Sequence, residues 1–332
     1  MSGVKTMNKW IAILAGLLTV QLALALGLNL AVEDHGVFQP RDKLLAFDRK
    51  AVDGVRIEDG KDSLELRRRD GKWLLPGNGN FPVEQGAVQR LLDQLAGLEQ
   101  GWPVATTAGA AERFKVAEGA FERKLTLLAK DRTQAVLYVG TSPGFRKVHV
   151  RPAGKDAVYA VAFNTWEANA KADDWIDKDI LKLDAAGVTG IELPGVRLQR
   201  QGDALKLADL TDQEETDAQQ AKALLDKLAG LRIESVLGSE AKPEYRQDEP
   251  ELEIKLTRKD GEPLSYRFSK PKDAAYYVLK RSDRADYFKL AEYVVDPIKQ
   301  ATRDKLVQAK PTPPPAAAGA AEKPAAAADP AG

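Results

Sequence analysis

The chain has no cysteine among its 332 residues and only two histidines, His35 and His149. Without cysteine there can be no disulfide, no thiolate metal site, no cysteine nucleophile and no acylated lipoprotein cysteine. Two imidazoles leave a zinc site short of ligands unless carboxylates supply nearly all of them. Net charge is missing as well, since 49 Lys and Arg balance 49 Asp and Glu. No overall field then draws the chain to nucleic acid, and none is expected as a partner. The glycines form neither a P-loop nor a dinucleotide fingerprint. No cofactor, metal or catalytic residue is therefore expected. What the chain does have is length enough for two domains and 44% hydrophobic content, which suffices for a sizeable core.

One octapeptide occurs twice. Leu91-Leu92-Asp93-Gln94-Leu95-Ala96-Gly97-Leu98 returns as Leu224-Leu225-Asp226-Lys227-Leu228-Ala229-Gly230-Leu231, differing only at Gln94 and Lys227. Such a match asks whether the flanks repeat too. Each copy reads as an amphipathic helix: Val88, Leu91, Leu92, Leu95 and Leu98 fall at helical spacing, as do Ala221, Leu224, Leu225, Leu228 and Leu231. Thr216 with Gln219 fits a capping box ahead of the second helix, and Gly97 and Gly230 sit where a left-handed residue would end each one.

Ahead of the first helix, Val55 and Ile57, then Leu64 and Leu66, alternate with charged residues, and Asp70-Gly71 turns into Lys72-Trp73-Leu74-Leu75. That is a hairpin signature. Ile191, Leu193, Val196 and Leu198, with a turn at Gln201-Gly202-Asp203, repeat it ahead of the second helix. After the extended stretches Trp102 to Thr107 and Ile233 to Leu237, a longer strand region aligns without gaps. Leu125 and Leu127 fall on Ile254 and Leu256, and Leu137 and Val139 on Tyr266 and Phe268. Successive alternating runs predict antiparallel strands rather than crossover units. Helical pieces are expected at Phe163 to Ala172 and at Glu292 to Leu306.

From Trp10 to Leu30 about 20 residues carry no formal charge, the length of a bilayer span. Lys5 and Lys9 precede it, and Glu33 and Asp34 follow, so the bulk of the chain is expected outside the cytoplasm. Cleavage of a signal peptide after Ala23-Leu24-Ala25 is the alternative. The expected class is α+β. The expected order is a cytoplasmic terminus over 1–9, a transmembrane helix over 10–30 and a linker over 31–51. Two tandem repeats follow over 52–184 and 185–308, each an antiparallel sheet with a packed amphipathic helix. A Pro/Ala-rich tail over 309–332 cannot bury a core.

With Lys72-Trp73-Leu74-Leu75-Pro76, the Leu91 to Leu98 helix and the Tyr138-Val139-Gly140 strand end, the chain resembles the bacterial domain-of-unknown-function 4340 family. The likeness covers roughly Val52 to Leu306 as two copies, and the second copy lacks the tryptophan and the glycine. Members are commonly membrane-anchored and often stand beside ABC-type export components of the gliding-motility type. The resemblance therefore implies an accessory role at the bacterial inner membrane, and it carries over no catalytic residue.

Gly140-Thr141-Ser142-Pro143-Gly144 matches a hydrolase G-x-S-x-G elbow, yet a strand follows where a helix should, and Pro143 removes an oxyanion donor. A plain hairpin turn is expected. His149 alternates with Val148 and Val150 and is expected to be exposed on its strand. Asp173, Asp174, Asp177 and Asp179 around Trp175 lack the spacing of a calcium loop and are expected to be solvated beside a docked turn. Arg67-Arg68-Arg69 is expected to guard a strand edge. The first expectation is a non-enzymatic scaffold in contact with a membrane complex of ABC-transporter type. It would use the anchor for partner contact and the groove between repeats for a peptide or polymer. The alternative is a periplasmic binding module for a glycan or envelope polymer, with Trp102, Trp166 and Trp175 as stacking surfaces. A hydrolase using carboxylates or Ser142 comes third.

Overall fold

Strand alternation and two apolar helical stripes dictate an architecture of sheets with few helices, and that is what the computed structural model contains. It describes residues 16–21, 42–144 and 146–310. The expected span over 10–30 lies outside the described residues except for 16–21, which are helical, and the stretch beyond 310 lies wholly outside them. Among the described residues no helix is long and apolar enough to cross a membrane. The chain divides into two units between Trp175 and Ile176.

In the first unit the strands are β1 (Gly54–Glu58), β2 (Ser63–Arg69), β3 (Lys72–Leu75), β4 (Phe81–Pro82), β5 (Pro103–Ala105), β6 (Val116–Ala117), β7 (Ala120–Phe121), β8 (Arg123–Ala129), β9 (Arg132–Val139), β10 (Lys147–Pro152) and β11 (Val158–Ala162). The helices are α1 (Gln85–Gly97) and α2 (Ala108–Arg113). Nine strands form one sheet in the order β4-β3-β2-β1-β8-β9-β10-β11-β5, and β6 with β7 forms a separate hairpin. Every pairing in the large sheet is antiparallel. Asp70 and Gly71 both take positive φ, 49° and 78°, as the two-residue turn between β2 and β3 requires.

Val88, Leu91, Leu92 and Leu95 of α1 are buried, together with Val55, Ile57, Leu66, Leu125, Leu127 and Leu137 of the sheet. Each such side chain contributes about 2 kcal/mol by leaving water. The other sheet face carries a smaller core, in which Ala110, Val116, Tyr138 and Val158 pack with Phe114 and Phe121. The segment from α2 through β7 supplies that cover.

The second unit contains β12 (Val188–Leu193), β13 (Val196–Gln201), β14 (Ala204–Leu207), β15 (Glu214–Thr216), β16 (Ser235–Gly238), β17 (Leu252–Arg258), β18 (Leu264–Ser269), β19 (Tyr276–Arg281), β20 (Tyr287–Ala291) and β21 (Val307–Ala309). Its helices are α3 (Ala218–Ala229), α4 (Glu292–Lys299) and α5 (Arg303–Leu306). Eight strands run in the order β14-β13-β12-β17-β18-β19-β20-β16, and β15 pairs with β21. Ala221, Leu224, Leu225 and Leu228 of α3 are buried. On one face Tyr245, Val278 and Tyr287 make a satellite core.

Several local expectations need correction. Asp217, not Thr216, caps α3 by accepting from the backbone of Gln219 and Gln220. Thr216 lies in β15 and accepts instead from Leu207 N. Gly97 and Gly230 are not left-handed, because Leu98 and the stretch after Gly230 leave the helices in ordinary backbone. The Arg67-Arg68-Arg69 run guards no edge, since β2 is paired on both sides. Arg68 lies over the Trp73 ring at 5.8 Å and donates to Lys50 O. The Phe163 to Ala172 piece is one short 3-10 turn, Thr165–Ala168, with another at Ala172–Asp174. The Glu292 to Leu306 helix is interrupted after Lys299.

The β15–β21 pair is fastened by a two-pronged contact in which Arg303 donates at 2.6 and 3.2 Å to Glu214. The guanidinium, with Thr211 N behind it, holds the Glu214 carboxyl down at about 2. A carboxyl lowered on folding adds stability above its ordinary value and loses it as pH falls toward the lowered one. The pair should accordingly loosen between about pH 4.5 and pH 2. In an NMR titration Glu214 should move near pH 2 and return toward 4.5 in R303A. An unchanged midpoint in R303A would rule the contact out as the cause.

Candidate functional site

The enzymatic lead closes on itself. Strand β10 follows β9 from Lys147, and among the described residues no helix follows Ser142. The Ser142 hydroxyl donates to Lys147 O at 2.7 Å and accepts from Gly144 N at 3.1 Å, so it ties the turn together. His149 corrects its expectation: it does face away from Val148 and Val150, but it is only 7% exposed. The cover shields it, with the Phe114 ring 4.2 Å away and the Thr141 hydroxyl 2.9 Å from Nδ1.

Gly140 explains why the cover fits. A Cβ there would stand 2.0 Å from Phe114 O and 2.4 Å from Lys115 O. Backbone can approach that closely only where no side chain exists. The glycine that looked like part of a nucleophile elbow is a seat for a packed segment.

The remaining polar clusters pair internally. Burial acts to raise the Glu65 carboxyl, but hydrogen bonds from Arg56 and Arg67 outweigh it and hold it below its ordinary value. Burial, then the Asp296 hydrogen bond at 2.9 Å, pushes the Tyr277 hydroxyl up. Arg281, 1% exposed, pairs with Asp283 at 2.6 Å and donates to Leu181 O at 2.7 Å, a structural pin. Among the described residues no three His, Cys, Asp or Glu side chains gather as metal ligands. A concavity of about 520 Å³ in the second unit is lined by Glu192, Glu253, Lys255, Arg267 and Lys280. There Arg267 pairs with Glu253 at 2.9 Å.

The three tryptophans part ways. Trp175 is 3% exposed and its indole N–H donates to Asn169 O at 2.7 Å, so it cannot stack on a ligand. Trp102 and Trp166 are 78% and 81% exposed. Trp166 sits in the Thr165–Ala168 turn, whose first residues are fixed by Asn164 Oδ1 accepting from Trp166 N. Glu167 anchors that turn, accepting from Gln94 of α1 at 3.0 Å and from Asn164 at 3.3 Å.

Trp102 directly precedes β5, the terminal strand of the sheet. The β11–β5 pairing slips between Val158 and Tyr159, which leaves Val104 as the extra residue of a bulge, 45% exposed. Strand β5 runs antiparallel to β11, so the chain at Trp102 lies toward the end of β11 from which the Trp166 turn continues. At strand rise and strand spacing the Cα atoms of the two tryptophans are within about 25 Å of each other along that path. Sequence reasoning missed Val104, because a three-residue strand with one bulge has no periodicity to read.

Residues 73–250, just over half of the chain, match the family described as Domain of unknown function (DUF4340). The match is one continuous stretch. No curated protein matches, and no solved structure does.

Proposed function

The chain belongs to the DUF4340 family, and from that premise we propose a non-enzymatic accessory or scaffold protein that acts by binding. It is held in the bacterial inner membrane by residues 10–30, with the bulk of the chain periplasmic, beside an ABC-type export system. The observation that carries a binding role is the exposure of Trp102, Val104 and Trp166 around one sheet edge. Rings of that size left in water favour a surface that something covers. The internal bonding of Ser142, Thr141 and His149 fits the same reading.

We further infer that the two units are copies of one fold. Written by chain position, β3-β2-β1-β8-β9-β10-β11-β5 and β14-β13-β12-β17-β18-β19-β20-β16 are the same order. The covers agree in a detail that the residue patterns did not suggest. Phe114-Lys115 and Tyr245-Arg246 each end a helical turn with an aromatic and then a basic residue at positive φ, 54° and 51°. Ser269, aligned with Gly140, is buried below the second cover and bonds to Tyr245 O.

Mild-detergent co-purification from the native membrane tests the assignment, with a secreted form lacking residues 1–31 as control. ABC-type membrane subunits should come with the anchored form alone. An anchored protein recovered without them would overturn the export association.

A further inference from the structure

We propose that the Trp102–Val104–Trp166 surface binds a neutral polysaccharide chain, an inference that rests on the binding role above and names its ligand. Two flat indoles, both more than three-quarters exposed, offer apolar faces to the C–H faces of sugar rings. Their placement at two points near one end of β11 suits a chain of linked sugars rather than a single small molecule.

The polar groups around Trp166 suit hydroxyls. Asn164, Gln94 and Glu167 are amide and carboxylate, already fixed by mutual hydrogen bonds. The Glu167 carboxylate disfavours an acidic ligand. An extended peptide adding to the sheet edge is the competing occupant. Pro103 opposes it, because an edge strand with a proline and a bulge lacks the regular donors that strand addition uses.

The test uses the full-length protein in detergent and titrates cellohexaose, chitohexaose and maltohexaose by calorimetry and tryptophan fluorescence. At least one should bind saturably. W102A and W166A should each weaken it by about tenfold or more, as expected for a stacking anchor. Y293A, which removes another exposed ring, 80% exposed in the second unit, should leave the affinity unchanged. All three variants should melt with the parent. Failure of all three sugars to saturate, or retained affinity in W102A and W166A, overturns the proposal. So does an emission shift with phosphatidylcholine vesicles and none with sugar, which would make the occupant a lipid surface. If W102A and W166A lose the ABC-type subunits while no sugar binds, the binding role stands and the polysaccharide falls.

Discussion

Leu95→Asp should unfold the first unit, and Leu228→Asp the second. Both leucines are 0% exposed, on the stripes that α1 and α3 turn toward their sheets. Truncating a buried leucine costs about 2–5 kcal/mol. An unpaired carboxylate in the same place costs several kcal/mol more, or must take up a proton to stay there. A domain has roughly 5–15 kcal/mol of stability to lose. The substitution therefore removes most or all of it. Limited proteolysis with mass-spectrometric mapping should find new cleavage confined to the unit that carries the change. A melting profile unchanged in either variant would mean that the helix is not packed there.

Gly140→Ala should be the next largest effect, about 3 kcal/mol, at the upper end of what overpacking costs. The added methyl meets the carbonyl oxygens of Phe114 and Lys115, and backbone cannot rotate aside as a side chain can. The cover must lift, exposing Phe114, Tyr138 and His149 together. Gly97→Ala in the same unit is the control: nothing lies within 4 Å of its added carbon, and it should be neutral or stabilising by up to about 1 kcal/mol. Denaturant melts of the two variants compare them directly. Equal midpoints would show that the cover is not seated on Gly140.

These two positions mark how far the residue order could be read. The stripe containing Leu95 was legible because helical spacing over thirteen residues admits one partner surface, and the alternating runs of β8 and β9 did the same for the sheet. Gly140 was read correctly as part of a hairpin turn, but the reason for a glycine there lies 26 residues away in a segment too short for any period. His149 failed for the same cause: alternation gave the face correctly, but only the distant cover decides whether that face is wet. The arginines of β2 looked like an edge because charge is common at edges, whereas a strand's neighbours are set by topology. Among the tryptophans, Trp175 has Ile176 beside it, and that apolar company pointed inward. Trp102 and Trp166 lie outside every periodic element, so only the structure separates exposed rings from buried ones.

The placement of closing contacts sets a timetable for synthesis. The first unit is finished by Trp175, whose carbonyl accepts from Glu84 N at the start of α1. The second is finished later still: Leu306 O accepts from Asp217 N, and β21 pairs with β15 about ninety residues earlier. A nascent second unit can collapse around α3 and its sheet, yet its last seam waits for Val307–Ala309. Premature termination anywhere before Val307 leaves Glu214–Thr216 as an unsealed strand. An incomplete chain therefore presents that strand to pairing with another chain.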